Sequence, residues 1–255
     1  MDRLPVPEEN IMHRFYADPE KSGDNLFILT PEDTFHALKV LRLRPGDQAE
    51  VILNGKRFLA GIERISAECA EFVPQEVLPN TEPRLSVTLF QGLPKSDKMD
   101  WIVQKAVELG VSRIVPVVFS RCVVRLNVKD SEKKQDRWQK IAREAGKQSG
   151  RCRIPAVSLP VPFSGLPEQL RSCGKVAVPW ELCPQGGPLS FVHRHPSVDS
   201  LGIVIGPEGG ISSEEMEVML KEGCESVTLG KRILRTETAG IAAVSAFLGL
   251  YGEME

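Results

Sequence analysis

Several common chemistries are missing from this chain. No apolar run reaches the roughly 18 residues of a membrane span. The segment Met1-Asp2-Arg3-Leu4-Pro5 lacks the apolar core of a signal peptide, so a cytoplasmic protein is expected. The 6 cysteines form no C-x-x-C pair, which argues against zinc and thioredoxin-type sites and for reduced, packed thiols. His193-Arg194-His195 is the one histidine arrangement that could hold a metal. It sits in a proline-flanked segment with no carboxylate beside it, so a solvent-exposed role is favoured and no metal is expected. Nucleotide fingerprints are missing too. Gly92-Leu93-Pro94-Lys95-Ser96 stands where a G-x-G-x-x-G would follow a first strand, and Ala145-Gly146-Lys147-Gln148 lacks the hydroxyl residue of a P-loop.

What is present begins with charge. The net −2 hides a strong segregation: residues 95–154 carry a net +8 between two mildly acidic flanks. A basic block of this kind suggests a polyanion contacted from one face, although solvated helix faces would give the same count.

The 255 residues fit one large domain or two smaller ones. Residues 1–10 read as an irregular lead-in, followed by the cationic and aromatic cluster Met12-His13-Arg14-Phe15-Tyr16. Leu26 to Leu29 reads as a strand, and Thr30-Pro31-Glu32 as a helix start with threonine as cap and proline in the first turn. Two alternating runs flank Asn54-Gly55, a strong hairpin signal, and a third runs from Glu68 to Val77. A small β-rich barrel over residues 11–78 follows. Residues 79–84, with two prolines and no periodicity, read as a linker. From Leu85 onward strands alternate with helices: Leu85 to Phe90, a helix over Lys98 to Leu109, Arg113 to Phe119, and a long basic helix over Ser131 to Gln148. Residues 85–255 therefore predict an α/β domain with a mostly parallel sheet covered on both faces.

Two late segments look like a site. Gly206-Pro207-Glu208-Gly209-Gly210 follows the apolar run Leu201 to Ile205, and Leu229-Gly230-Lys231-Arg232-Ile233-Leu234-Arg235-Thr236-Glu237 follows a second short run. Both are expected to be strand-to-helix loops opening from neighbouring buried strands, where ligands bind in open α/β sheets. Glycine lets backbone groups approach a ligand without a Cβ in the way. Ser212 and Glu215 have the spacing of a capping box, which aims the positive end of the next helix toward the first loop. A small ligand held mainly by backbone fits, and S-adenosylmethionine is one such ligand.

These two loops resemble those of the knotted SPOUT-class methyltransferases. More narrowly, they are similar to the bacterial enzymes that methylate N3 of a uridine in 16S ribosomal RNA of the small subunit. The likeness extends to His13-Arg14-Phe15, to Lys98-Met99-x-Trp101-Ile102-x-Gln104-Lys105-Ala106, to Ser120-Arg121-Cys122-Val123-Val124 and to Arg137-Trp138-Gln139-Lys140-Ile141-Ala142. It implies a C-terminal trefoil knot, an outcome that base rates disfavour. It also implies a homodimer and a PUA-like RNA-binding domain over residues 11–78. The implied S-adenosylmethionine pocket is lined by Val178, Ile205, Gly206, Gly210, Leu229, Gly230, Ile233 and Leu234. Two departures bear on RNA contacts: Lys147 stands before Gln148-Ser149-Gly150-Arg151 where the family usually has glutamate, and about ten extra residues precede the His-Arg-Phe cluster.

On that resemblance the chemistry is a displacement at a sulfonium methyl, needing alignment more than a metal. The N3 proton must leave, and charge then spreads onto the flanking carbonyl oxygens. Arg235 is the expected cation facing that charge, with Arg14 as second choice. Glu208 or Glu237 is the candidate base, with solvent as the alternative acceptor. Arg14, Arg42, Arg44, Arg121, Arg125, Lys147 and Arg151 are the expected RNA contacts, and Phe15 or Tyr16 could stack on a base. A related enzyme acting on a ribose 2′-hydroxyl or another base, or a non-catalytic RNA-binding protein, stays open at this point.

Overall fold

The computed structural model describes residues 12–183 and 186–254; the lead-in over residues 1–10 lies outside the described residues. The chain divides into two compact units, with the boundary between Thr81 and Glu82.

The first unit is a curled sheet of five strands. Strands β1 (Arg14–Tyr16) and β2 (Phe27–Ile28) precede the short helix α1 (Pro31–Phe35), and β3 (Gln48–Leu53), β4 (Lys56–Ile65) and β5 (Ala70–Leu78) follow. The order is β1-β3-β4-β5-β2, and an antiparallel bridge from Ala17 to Leu29 brings the two outer strands together into a barrel. The β3–β4 turn is Asn54-Gly55 with both φ angles positive (51° and 76°), as a type I′ hairpin requires. Thr30 caps α1 by accepting from the Asp33 amide, with Pro31 in the first turn. Phe15 is fully buried with its ring 6.0 Å from that of Phe72, so it is a core residue and not a stacking platform for RNA.

The second unit alternates strands and helices. In chain order it runs β6 (Ser86–Gly92), α2 (Lys98–Leu109), β7 (Arg113–Val118), α3 (Val128–Ser149), β8 (Ala156–Val157), β9 (Val161–Pro162), α4 (Leu166–Leu170), β10 (Lys175–Pro179), α5 (Pro188–Arg194), β11 (Ser200–Ile205), α6 (Ser213–Lys221), β12 (Glu225–Val227) and α7 (Thr236–Leu250). The strands form one parallel sheet in the order β12-β10-β11-β6-β7-β8, with β9 also pairing β7. Being covered on both faces, β6, β7 and β11 are almost wholly buried.

Local signals explain most element ends. Helix α2 buries Met99, Ile102, Val103, Ala106 and Val107 along one stripe and stops at Gly110, whose φ of 111° ends the helix in a left-handed turn. Helix α3 starts at Val128, earlier than the apolar pattern indicates, because the Asn127 side chain caps it by accepting from the Asp130 amide. The capping box at α6 is present in both directions: Ser212 Oγ accepts from the Glu215 amide, and Glu215 accepts from the Ser212 amide.

The path of the last third positions the site. Strand β11 lies inside the sheet, α6 carries the chain out to edge strand β12, and the next segment returns so that α7 packs on β6, β11, α2 and α5. That return across the sheet is the crossing a trefoil-knotted end requires. One expectation is corrected here: β11 and β12 are not neighbours, because β10 lies between them. The two glycine-bearing loops meet because both pass over the carboxyl end of β10.

Candidate active site

The loops after β10, β11 and β12 enclose a cavity of about 830 Å3, within the range usual for small-molecule sites. Ile205, Gly206, Gly210, Leu229, Gly230, Ile233 and Leu234 line it, as do Pro179, Trp180 and Glu181. Val178 does not. It is fully buried in β10, where its side chain points into the sheet's packing, and the cavity begins one residue later at Pro179.

Close backbone packing builds the first loop. A Cβ on Gly92, at the end of β6, would lie 2.4 Å from the Pro207 nitrogen, so only glycine lets β6 and the loop approach this far. Gly209 is pressed against the Arg121 backbone, and Arg121 Nη1 donates to the Gly209 carbonyl at 3.2 Å. Glu215 Oε1 accepts from the Ser120 amide at 2.7 Å, which joins the start of α6 to the end of β7. In the second loop, Gly230 takes a φ of 101° that other residues rarely adopt, and its amide donates to Thr228 Oγ1.

A polar relay joins the loops. Thr236, the first residue of α7, donates its hydroxyl to the Gly206 carbonyl at 2.6 Å. Gln91 Nε2 donates to Thr236 Oγ1 at 2.9 Å and to the Gly92 carbonyl at 3.1 Å.

Lys98 holds both candidate bases. Its Nζ lies 3.1 Å from Glu208 Oε1 and 3.2 Å from Glu237 Oε2, the latter without hydrogen-bond alignment. Glu208 also accepts from the Lys95 amide. Burial pushes the Glu208 carboxyl up, but hydrogen bonds from its own amide, the Lys95 amide and Lys98 outweigh it and hold the group below the usual carboxylate range. The two carboxylates likewise raise the Lys98 ammonium above its ordinary value, hydrogen bonding to Glu208 contributing most. The structure thus places Glu208, a candidate base, in hydrogen bonds from Lys98 and the Lys95 amide. Glu237 shares the same lysine.

Arg235 stands apart from that cluster. It is exposed on the cavity wall at the N-cap of α7; its carbonyl accepts from the Ala239 amide, and its side chain makes no hydrogen bond or ion pair among the described residues. Arg14 differs: its Nε and Nη2 both lie 2.7 Å from Glu50 Oε2 within the first unit, so its charge already faces a carboxylate.

The expected RNA contacts divide in two. Arg42, Arg44, Arg121 and Arg125 are exposed. Arg151 is not: its side chain is 4% exposed, it pairs with Glu82, and Nη1 donates to the carbonyls of Val107 and Val111. A guanidinium buried this way is a structural pin and not a phosphate contact. Lys147 is also tucked in, with its side chain 13% exposed and Nζ 3.5 Å from Glu144. His195 likewise departs from expectation: with Arg194 it pairs with Glu225, which lies far off in sequence. Among the described residues no group of side chains could hold a metal ion, and no helix is long and apolar enough to cross a membrane.

Sequence reasoning missed Gln91, Gly92, Lys98, Trp180 and Glu181 as parts of the site. The Gly92-Leu93-Pro94 turn was a legible signal, since a glycine at a strand's carboxyl end marks close backbone approach.

Residues 81–248 match the RNA methyltransferase domain family, and residues 29–74 match the RNA methyltransferase PUA domain family. The chain is 36% identical over 228 residues to the ribosomal RNA small subunit methyltransferase E of Bacillus subtilis, covering 86% of this chain and 88% of that one. It is 32% identical to the protein of the same name from Aquifex aeolicus, covering 93% and 99%. Among solved structures, the Neisseria gonorrhoeae ribosomal RNA small subunit methyltransferase E bound to S-adenosylmethionine superposes with a TM-score of 0.79, at 34% identity, covering 94% and 98%.

Proposed function

The chain belongs to the ribosomal RNA small subunit methyltransferase E family, and from that premise we propose that it transfers a methyl group from S-adenosylmethionine to N3 of a uridine in 16S ribosomal RNA. The observation that carries this reading is one cavity joining both glycine-bearing loops, with an arginine on its wall whose exposed side chain has no partner among the described residues. The residues fit the cofactor. Backbone groups of Gly206, Gly210 and Gly230 are accessible to it, and the apolar side chains of Leu229, Ile233 and Leu234 offer contact surface; Ile233 is 86% exposed and gains cover when a ligand is seated.

S-adenosylmethionine supplies an electrophilic methyl on a sulfonium, so the protein's own task is to align the base and manage charge. Arg235 faces the negative charge that develops on the uridine carbonyl oxygens as N3 loses its proton. Glu208 and Glu237 pair with Lys98 and hold the two loops, and the N3 proton passes to solvent. The target uridine is splayed out of its helix, because a paired N3 is inaccessible. Arg42, Arg44, Arg121 and Arg125 contact phosphates. The chain works as a homodimer in the cytoplasm, where ribosomal RNA is assembled.

The test is methylation of ribosomal RNA from a strain lacking the enzyme, with the product nucleosides mapped by mass spectrometry. Methyl at uridine N3 is the expected result. Methyl on a ribose hydroxyl or another base would overturn the substrate reading.

A further inference from the structure

Gln91 is the penultimate residue of the central strand β6 and is fully buried, yet it lies behind the cavity and not on its wall. Its hydrogen bonds run in one direction only. A threonine hydroxyl has a single proton, and Thr236 gives it to the Gly206 carbonyl at 2.6 Å. Thr236 Oγ1 can therefore only accept at the contact with Gln91, which requires the amide nitrogen of Gln91 there. The same nitrogen donates to the Gly92 carbonyl, so flipping the amide would set oxygen against oxygen. Among the described residues Gln91 Oε1 is left buried with no hydrogen-bond partner, in the space that Gly240 opens by having no Cβ; a Cβ there would lie 3.0 Å from it. A buried acceptor without a partner carries a standing penalty, and the fold tolerates it where the other end of the amide is needed.

We propose that Gln91 is the positioning residue that couples the two loops. By fixing the Thr236 hydroxyl it fixes the Gly206–Pro207 peptide plane at the start of one loop. It also fixes the first residue of α7, and with it the adjoining Arg235, at the end of the other. Gln91 touches neither cofactor nor base and acts only through Thr236. This rests on the S-adenosylmethionine reading above, which wild-type binding tests separately.

The experiment is a double-mutant cycle read by calorimetry with S-adenosylmethionine and, independently of any ligand, by amide hydrogen exchange. Gln91→Met keeps the volume and removes the donor, Thr236→Val removes the hydroxyl, and Thr236→Ser keeps it. The expected result is about a tenfold loss of affinity for Gln91→Met and for Thr236→Val, no further loss in the double variant, and near-wild-type affinity for Thr236→Ser. In the free protein, Gln91→Met should speed exchange in residues 206–210 and 229–235 together while the β6 and β11 amides keep their protection. Two results would overturn the proposal: losses that multiply in the double variant, or a lower melting temperature with unchanged affinity and unchanged loop exchange. Wild-type protein that failed to bind S-adenosylmethionine would refute the cofactor reading instead, and the exchange arm would still decide the role of Gln91.

Discussion

Glu82→Ala should destabilise the second unit without touching RNA binding. Glu82 accepts from Arg151 Nε at 3.0 Å and Nη2 at 2.7 Å, and from the amides of Cys152 and Arg153 at 2.7 and 3.1 Å. Removing the carboxylate leaves a guanidinium 4% exposed without its counter-charge, its Nη1 still donating to the Val107 and Val111 carbonyls. Breaking a buried pair from one side costs about 3–5 kcal/mol, or a melting-temperature loss on the order of 10 °C for a unit this size. Calorimetry or circular dichroism reads the loss directly. The pH dependence follows from the same contacts. Burial pushes the Glu82 carboxyl up, but Arg151 and the two amides prevail and hold it below the ordinary range. A depressed folded-state pKa gives stability that is fully present above the unfolded value of about 4.3 and is lost as pH falls through the folded value. Glu82→Gln should therefore flatten the acid limb of the stability curve. A melting temperature within about 1 °C of wild type for Glu82→Ala would refute the pin. So would a lower salt-dependence slope for RNA binding in Arg151→Met, which would return Arg151 to the phosphate contacts.

Other outcomes follow from the site. Arg235→Ala should lower turnover by ~10²–10³-fold while leaving cofactor affinity nearly unchanged, because the side chain faces charge that develops only during reaction; equal losses in both would remove its catalytic role. Lys98→Met should return the Glu208 carboxyl toward the ordinary range and loosen the first loop, seen as an upward shift in its titration by NMR and weaker cofactor binding. Gly92→Ala should abolish cofactor binding in a folded protein, since the new Cβ would meet the Pro207 backbone at 2.4 Å; an unaffected dissociation constant would show that the loop can retreat. Arg121→Ala and Arg125→Ala should each reduce the salt slope of RNA binding by about one, whatever the RNA sequence.

Much of this protein was legible from the chain because the signals act over a few residues. The Asn54-Gly55 hairpin, the Ser212–Glu215 capping box, the apolar stripe of α2 and the positive-φ glycines at 210 and 230 each depend on near neighbours. Those local rules located both loops of the cavity, and the family resemblance named seven of its lining residues. Tertiary structure alone decided what the charged and polar side chains do, because their partners are distant: Gln91 meets Thr236 across 145 positions and Arg151 meets Glu82 across 69. It also decided which strand separates the two loops. A basic residue reads the same in a sequence whether it faces phosphate or is buried against a carboxylate; only the burial that the folded sheet imposes on Arg151, and withholds from Arg121 and Arg235, tells them apart.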